Sequence, residues 1–169
     1  MQNKKIQAAL LCGFGAAVLT TVPGLKSFGC CLIIPLAGAI SVVLYLKMNR
    51  EEILPIETKT VIILGLLTGI ISAVFATSTE VLITFITKTN DFVESLPASQ
   101  QMLRELNLGT LAEDSLKMMN AIAEDIRNKG FSFFYTFAVL TSNTIVNTIF
   151  SILGAVIGMI FINRRINAG

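Results

Sequence analysis

The sequence predicts an all-α polytopic membrane protein with four transmembrane helices and a short helical extracytoplasmic segment between the third and fourth. Two observations predict it: four long apolar runs separated by polar breaks, and basic residues gathered at alternate ends of those runs. Composition agrees. Of 169 residues, 53% are hydrophobic and 14% charged, where a soluble domain carries roughly a quarter charged residues. The mean hydropathy is +0.73.

The first run covers residues 6–22, directly after Lys4 and Lys5. A basic flank before an apolar core also describes a secretory signal peptide. Such a peptide ends at a cleavage site before a polar mature domain. Here Pro23-Gly24-Leu25-Lys26-Ser27 leads straight into a second apolar run, so an uncleaved helix is the preferred reading.

The second run, 28–46, matches the roughly 20 residues that cross a hydrocarbon core. Pro35 falls inside it and is expected to bend the helix by removing a backbone hydrogen bond. A short charged connection follows, with Pro55 preventing the helix from continuing. The third run covers 60–86 and is long enough to cross with tilt.

Residues 87–130 form the one substantial polar segment, with seven acidic side chains against five basic ones. Two short helices are expected there. The first should start near Ser95-Leu96-Pro97, since Ser and Pro suit a helix start. The second should open on a capping box at Thr110-Leu111-Ala112-Glu113. It should place Leu116, Met119, Ala123 and Ile126 on one face and stop at Gly130.

The last span, 133–162, begins in an aromatic group, Phe131, Phe133, Phe134, Tyr135 and Phe137, and closes at Arg164-Arg165. Aromatic rings favour the headgroup region, and Tyr135 suits it best because of its polar tip. With an even number of crossings, Lys4, Lys5, Lys47, Arg50, Lys59, Arg164 and Arg165 share one side. The positive-inside rule makes that side the cytoplasm. Both termini are thus expected there, with 1–169 as a single membrane domain.

In lipid, helices associate through close packing and polar contacts, so stripes of small residues mark interfaces. Ala9, Gly13 and Ala17 form one on the first helix. On the third, Gly65 and Gly69 continue through Ser72 and Ala76 to Thr79 and Glu80. On the fourth, Asn143, Asn147, Ser151, Gly154 and Gly158 project within about 80° of one another. The third and fourth helices are expected to pack face to face along these stripes; alternatively, one stripe packs within the monomer and the other mediates dimerisation.

Glu80 is the one acidic residue in an apolar run, and membrane carboxylates are candidates for function. Counted from Thr60 it lies about 30 Å along the helix, near the outer interface. A polar cluster of Thr77, Thr79, Glu80, Asn143 and Asn147 is therefore expected. It serves either as an ion path, ligand pocket or partner contact, or as polar glue between helices.

Catalytic chemistry is thin. His is absent, which removes the commonest general base and metal ligand. Gly13-Phe14-Gly15 lies in an apolar helix and not at a strand-to-helix turn, so a dinucleotide site is excluded. Cys12, Cys30 and Cys31 read as packing residues. The small net charge of +2 argues against nucleic acid as a partner. No cofactor, metal or enzyme activity is expected.

Gly65-Leu66-Leu67-Thr68-Gly69-Ile70, the stretches Asp91-Phe92-Val93-Glu94 and Leu111-Ala112-Glu113-Asp114, and the closing Arg164-Arg165 resemble a family of small bacterial membrane proteins catalogued as a domain of unknown function. The resemblance covers roughly the C-terminal two-thirds and implies a four-helix inner-membrane protein without implying an activity. The Cys30-Cys31 hairpin and the short first helix depart from that pattern. The expected function is a non-catalytic one: an accessory or structural subunit of a membrane complex, or a self-associating bundle, with lipid and another membrane protein or a second copy as partners. The alternative is a small oligomeric transporter or channel built on Glu80 and Asn143.

Overall fold

The computed structural model describes residues 2–22, 24–49, 56–106 and 109–167. Every regular element among them is helical: α1 (Gln2–Thr21), α2 (Ile34–Met48), α3 (Thr58–Thr87), α4 (Asp91–Glu105), α5 (Thr110–Lys129) and α6 (Phe133–Asn167). Among the described residues, three stretches are long and apolar enough to cross a membrane: Cys31–Met48, Thr58–Thr87 and Phe133–Arg164. The helix α1 falls short of that measure. Lys4, Lys5 and Gln7 lie within it, leaving an apolar stretch of about 21 Å against a core of about 30 Å.

The chain divides into two compact units, Met1–Thr77 with Leu140–Gly169, and Ser78–Val139. In the first, α1, α2, most of α3 and most of α6 pack around Ala8, Val42, Tyr45, Val61, Leu64 and Ala155, all fully buried. The distribution of polarity is the reverse of a soluble domain's. Ser41, Thr68, Ser72 and Ser151 are buried, while Leu11, Leu32, Leu36 and Phe161 are each more than 60% exposed. Large apolar side chains face outward because the expected solvent is lipid; small and polar ones face inward because close backbone packing and hydrogen bonds hold such helices together.

The entry to α2 differs from the sequence expectation. A 3-10 turn at Lys26–Phe28 is followed by a π turn at Gly29–Ile33, and the Ile34 amide donates to the Gly29 carbonyl. Pro35 lies in the first turn of α2 and not in mid-helix. A proline cannot donate to the preceding turn, and the widened π turn is where the chain accommodates that loss. Cys12 packs beside Ala16, Ile34 and Ala37 as expected of a small apolar side chain; Cys31 is exposed, and the Cys30 side chain, like Arg50 and Pro55, lies outside the described set.

The glycine stripes meet neighbours only partly as expected. A Cβ on Gly65 would sit 2.7 Å from Cα of Ile152, and one on Gly69 2.5 Å from Cα of Thr148, so α3 does press its glycines on α6. The glycines of α6 turn elsewhere. A Cβ on Gly154 would collide with the Pro35 carbonyl of α2, and one on Gly158 would lie 3.0 Å from Cα of Ala39. Gly38 of α2 answers by abutting the Ser151 carbonyl. One stripe on α6 thus serves two partners, because packed helices cross at an angle and do not run parallel along their length. Gly13 brings α1 against Thr68 and Ile71 of α3.

In the second unit, α4 and α5 pack as a hairpin over Val93, Leu96, Ala123 and Ile126, flanked by Phe92, Met119, Ile122 and Tyr135. Here α4 begins at Asp91, earlier than expected, because Asn90 caps it by accepting from the Val93 amide at 3.0 Å. Pro97 consequently sits inside the helix. The expected capping box is displaced as well: Gly109 is the N-cap of α5, with φ 58°, and Thr110 is already helical with no side-chain cap. Gly130 ends α5 in the left-handed region, φ 71°. A Cβ there would lie 2.7 Å from the Phe85 carbonyl, so both its torsion and its neighbour require glycine.

Candidate functional site

The helices α3 and α6 carry every residue of the expected polar cluster, and the partners those residues find fall into two groups. In the first unit, Asn143 donates from Nδ2 to Thr77 Oγ1 at 3.0 Å, and Asn147 donates from Nδ2 to Ser72 Oγ at 3.5 Å. Going up α6 by four residues while going down α3 by five is the register of an antiparallel pair. Thr77, Ser72 and Asn147 are all buried. These bonds satisfy amides that would otherwise be stranded in an apolar interior, a cost of about 1–3 kcal/mol each.

Further along the same faces lie three hydroxyls that sequence reasoning passed over as site residues: Thr68, Thr148 and Ser151. Their oxygens are buried and, among the described residues, have no hydrogen-bond partner. Thr68 is flanked by the close approach of Gly13, and Ser151 by that of Gly38. The signal was available, since Ser151 falls on the α6 stripe and Thr68 stands between Gly65 and Gly69.

In the second unit, Glu80 accepts a 2.7 Å hydrogen bond at Oε1 from the Tyr135 hydroxyl. The Phe92 ring lies 5.7 Å from that of Tyr135, tilted at 45°. Thr79 is half-buried. A shallow surface depression with no enclosed volume adjoins Tyr135, lined also by Val81, Thr84, Gly130, Phe131, Ser132 and Thr136. The Thr84 hydroxyl is buried and lacks a described partner. Tyr135 was singled out in the sequence as an interfacial aromatic; its carboxylate partner was not foreseen.

Tyr135 is thus one partner of Glu80, while Asn143 and Asn147 bond to Thr77 and Ser72. Chemically, both groups exchange hydrogen bonds between neutral donors and oxygen acceptors. No three metal-ligating side chains come together among the described residues. On the surface of α5, the Asp125 carboxylate 2.7 Å from Lys129 raises that ammonium's pKa. Such an exposed pair contributes little to stability.

No family model matches the chain, and no curated protein or solved structure matches it.

Proposed function

We propose that the chain is a non-catalytic integral membrane protein of the bacterial inner membrane, an accessory subunit that offers its α4–α5 hairpin to a partner on the outer side. In this reading α1, α2, α3 and α6 all cross, and the termini are cytoplasmic. The basic residues Lys4, Lys5, Lys47, Lys59 and Arg164 support the orientation through the positive-inside rule. The resemblance to small bacterial four-span proteins agrees with the compartment.

The observation that carries the proposal is the contrast between the two units. The membrane bundle spends its small and polar residues on its own packing, through Gly13, Gly38, Gly65, Gly69, Gly154 and Gly158. The hairpin, by contrast, leaves Met102, Leu106, Leu111 and Met118 between 49% and 70% exposed on helices that are otherwise polar. Exposed apolar groups of that size on a polar segment suit a protein contact. Gentle detergent extraction of the tagged chain, followed by mass spectrometry, tests this. A membrane protein that co-purifies in fixed ratio, and is lost when residues 95–129 are deleted, is the expected result. A homo-oligomer unchanged by the deletion refutes the partner role and leaves a self-associating bundle.

A second reading, a small oligomeric transporter or channel, draws on the buried hydroxyls of Thr68, Thr148 and Ser151, which extend the Asn143 and Asn147 face. Flux through proteoliposomes, reduced by Glu80→Gln or Asn147→Leu, would favour it; unchanged flux would remove these residues from any path.

A further inference from the structure

At one end of the first unit, two lysines of α1 are fixed on neutral partners. Lys4 donates from Nζ to Asn49 Oδ1 at 3.2 Å, and Lys5 donates to Thr60 Oγ1 at 3.0 Å. The Lys5 ammonium also stands 5.7 Å from the centre of the Tyr45 ring. Tyr45 is fully buried and its hydroxyl accepts from Asn49 Nδ2 at 3.4 Å. Asn49 and Thr60 are buried too. The two ammonium groups are thus held by a built polar frame that joins the start of α1, the end of α2 and the start of α3.

Each ammonium has three N–H donors, and among the described residues one is used in these bonds. Lys47 and Lys59 are exposed on the same helix ends. Arg164 follows Met159 and Ile162, which pack against the buried cluster that includes Tyr45 and Val61. Against these five cations, the described residues at this end supply one carboxylate, Glu57. Lys4, Lys5 and Lys59 moreover sit near the beginnings of their helices, where the helix dipole disfavours a cation and favours an anion. Immediately beyond the lysines the outward surface turns apolar, with Ile6, Leu10 and Ile62 each 43–45% exposed.

We propose that Lys4, Lys5, Lys47 and Lys59 bind the phosphate of an anionic phospholipid, whose acyl chains lie along Ile6, Leu10 and Ile62. The ligand class follows from the two surfaces: a cationic frame with spare donors meets a phosphate, and the adjoining apolar face meets hydrocarbon. This site rests on the membrane reading above but not on the accessory-subunit role.

The test is native mass spectrometry of the full chain from mixed micelles holding equal amounts of phosphatidylglycerol and phosphatidylcholine. Wild type is expected to retain phosphatidylglycerol selectively. Lys4→Gln with Lys5→Gln should weaken retention about fivefold per lysine, roughly twenty-five-fold together, from the usual attraction of a basic side chain to an anionic surface. Lys4→Arg with Lys5→Arg should keep it, with helix content by circular dichroism unchanged in both pairs. Equal retention of the two lipids by wild type, or no loss in the glutamine pair, overturns the site. Displacement of the lipid by an equal concentration of inorganic phosphate overturns the lipid as the ligand. Membrane fractionation separates the two proposals: a soluble chain refutes the membrane reading and the site together, whereas a membrane-bound chain without lipid preference refutes the site alone.

Discussion

Tyr135 places its hydroxyl 2.7 Å from Glu80 Oε1, across 55 residues of sequence. Its neighbours Phe131, Phe133, Phe134 and Phe137 are 39–74% exposed, so one ring of the aromatic group has been turned inward to meet a carboxylate. Hydrogen bonds to a carboxylate contribute about 1.5–3 kcal/mol where they are sheltered, and partial exposure lowers that. Tyr135→Phe is expected to destabilise the second unit by about 1–2 kcal/mol. Glu80→Gln, which keeps an acceptor oxygen, should cost less. Thermal unfolding in detergent compares the two, and a larger loss in Glu80→Gln would contradict this account.

A methyl group on Gly154 or Gly38 has nowhere to go, since it would meet the Pro35 or the Ser151 carbonyl. Overpacking against backbone costs about 1–3 kcal/mol. Gly15 has nothing within reach, and there alanine should gain about 1 kcal/mol of helix propensity. Midpoints of denaturation should therefore fall for Gly154→Ala and Gly38→Ala and hold or rise for Gly15→Ala. Equal effects at all three would mean that the α2–α6 crossing is looser than described.

The hairpin of the second unit depends on its ends. Asn90→Ala removes the acceptor for the Val93 amide and should cost about 1 kcal/mol. Gly130→Ala should cost more, because it adds a close contact with Phe85 to a left-handed torsion. Hydrogen exchange is the apt measurement. The α4 amides near Val93 should exchange faster in the first variant, and the last turn of α5 in the second.

Whether α1 crosses decides which side each end of the chain occupies. If α1, α2, α3 and α6 all cross, cysteines introduced near residues 2 and 167 react with an impermeant reagent from the same side of sealed vesicles. If α1 lies along the surface, the two react from opposite sides.

The sequence made three of its four expected spans legible because hydropathy integrates over many residues, and the Gly130 stop because a left-handed C-cap calls for glycine at one position. Met119, Ala123 and Ile126 were readable as one face for the same periodic reason. The start of α4 was not, because Pro97 advertises a helix start more loudly than Asn90 does, although Asn90 makes the capping bond. At α5, Thr110 and Glu113 fit a capping box, but Gly109 takes the N-cap and moves both inward by one position. The neighbour of each stripe was illegible for a different reason. Periodicity gives the direction a face points along its own helix, and nothing in it says which helix stands opposite. Gly154 could therefore be assigned to the wrong partner while Gly65 was assigned to the right one. The Glu80 and Tyr135 pairing was hidden by sequence separation, since a lone Tyr among phenylalanines reads equally well as an interfacial ring.

The double engagement of α6, with Gly65 and Gly69 of α3 on one side and Gly38 and Pro35 of α2 on another, bears on biosynthesis. The three helices that leave the ribosome first expose the glycine surfaces meant for a fourth, and α4 and α5 must be made before it arrives. During that interval Ser72, buried in the finished bundle, lacks its final neighbour, Asn147. The assembling chain is then most open to helices of other chains, and to quality-control proteases, until α6 enters the bilayer and closes both faces at once.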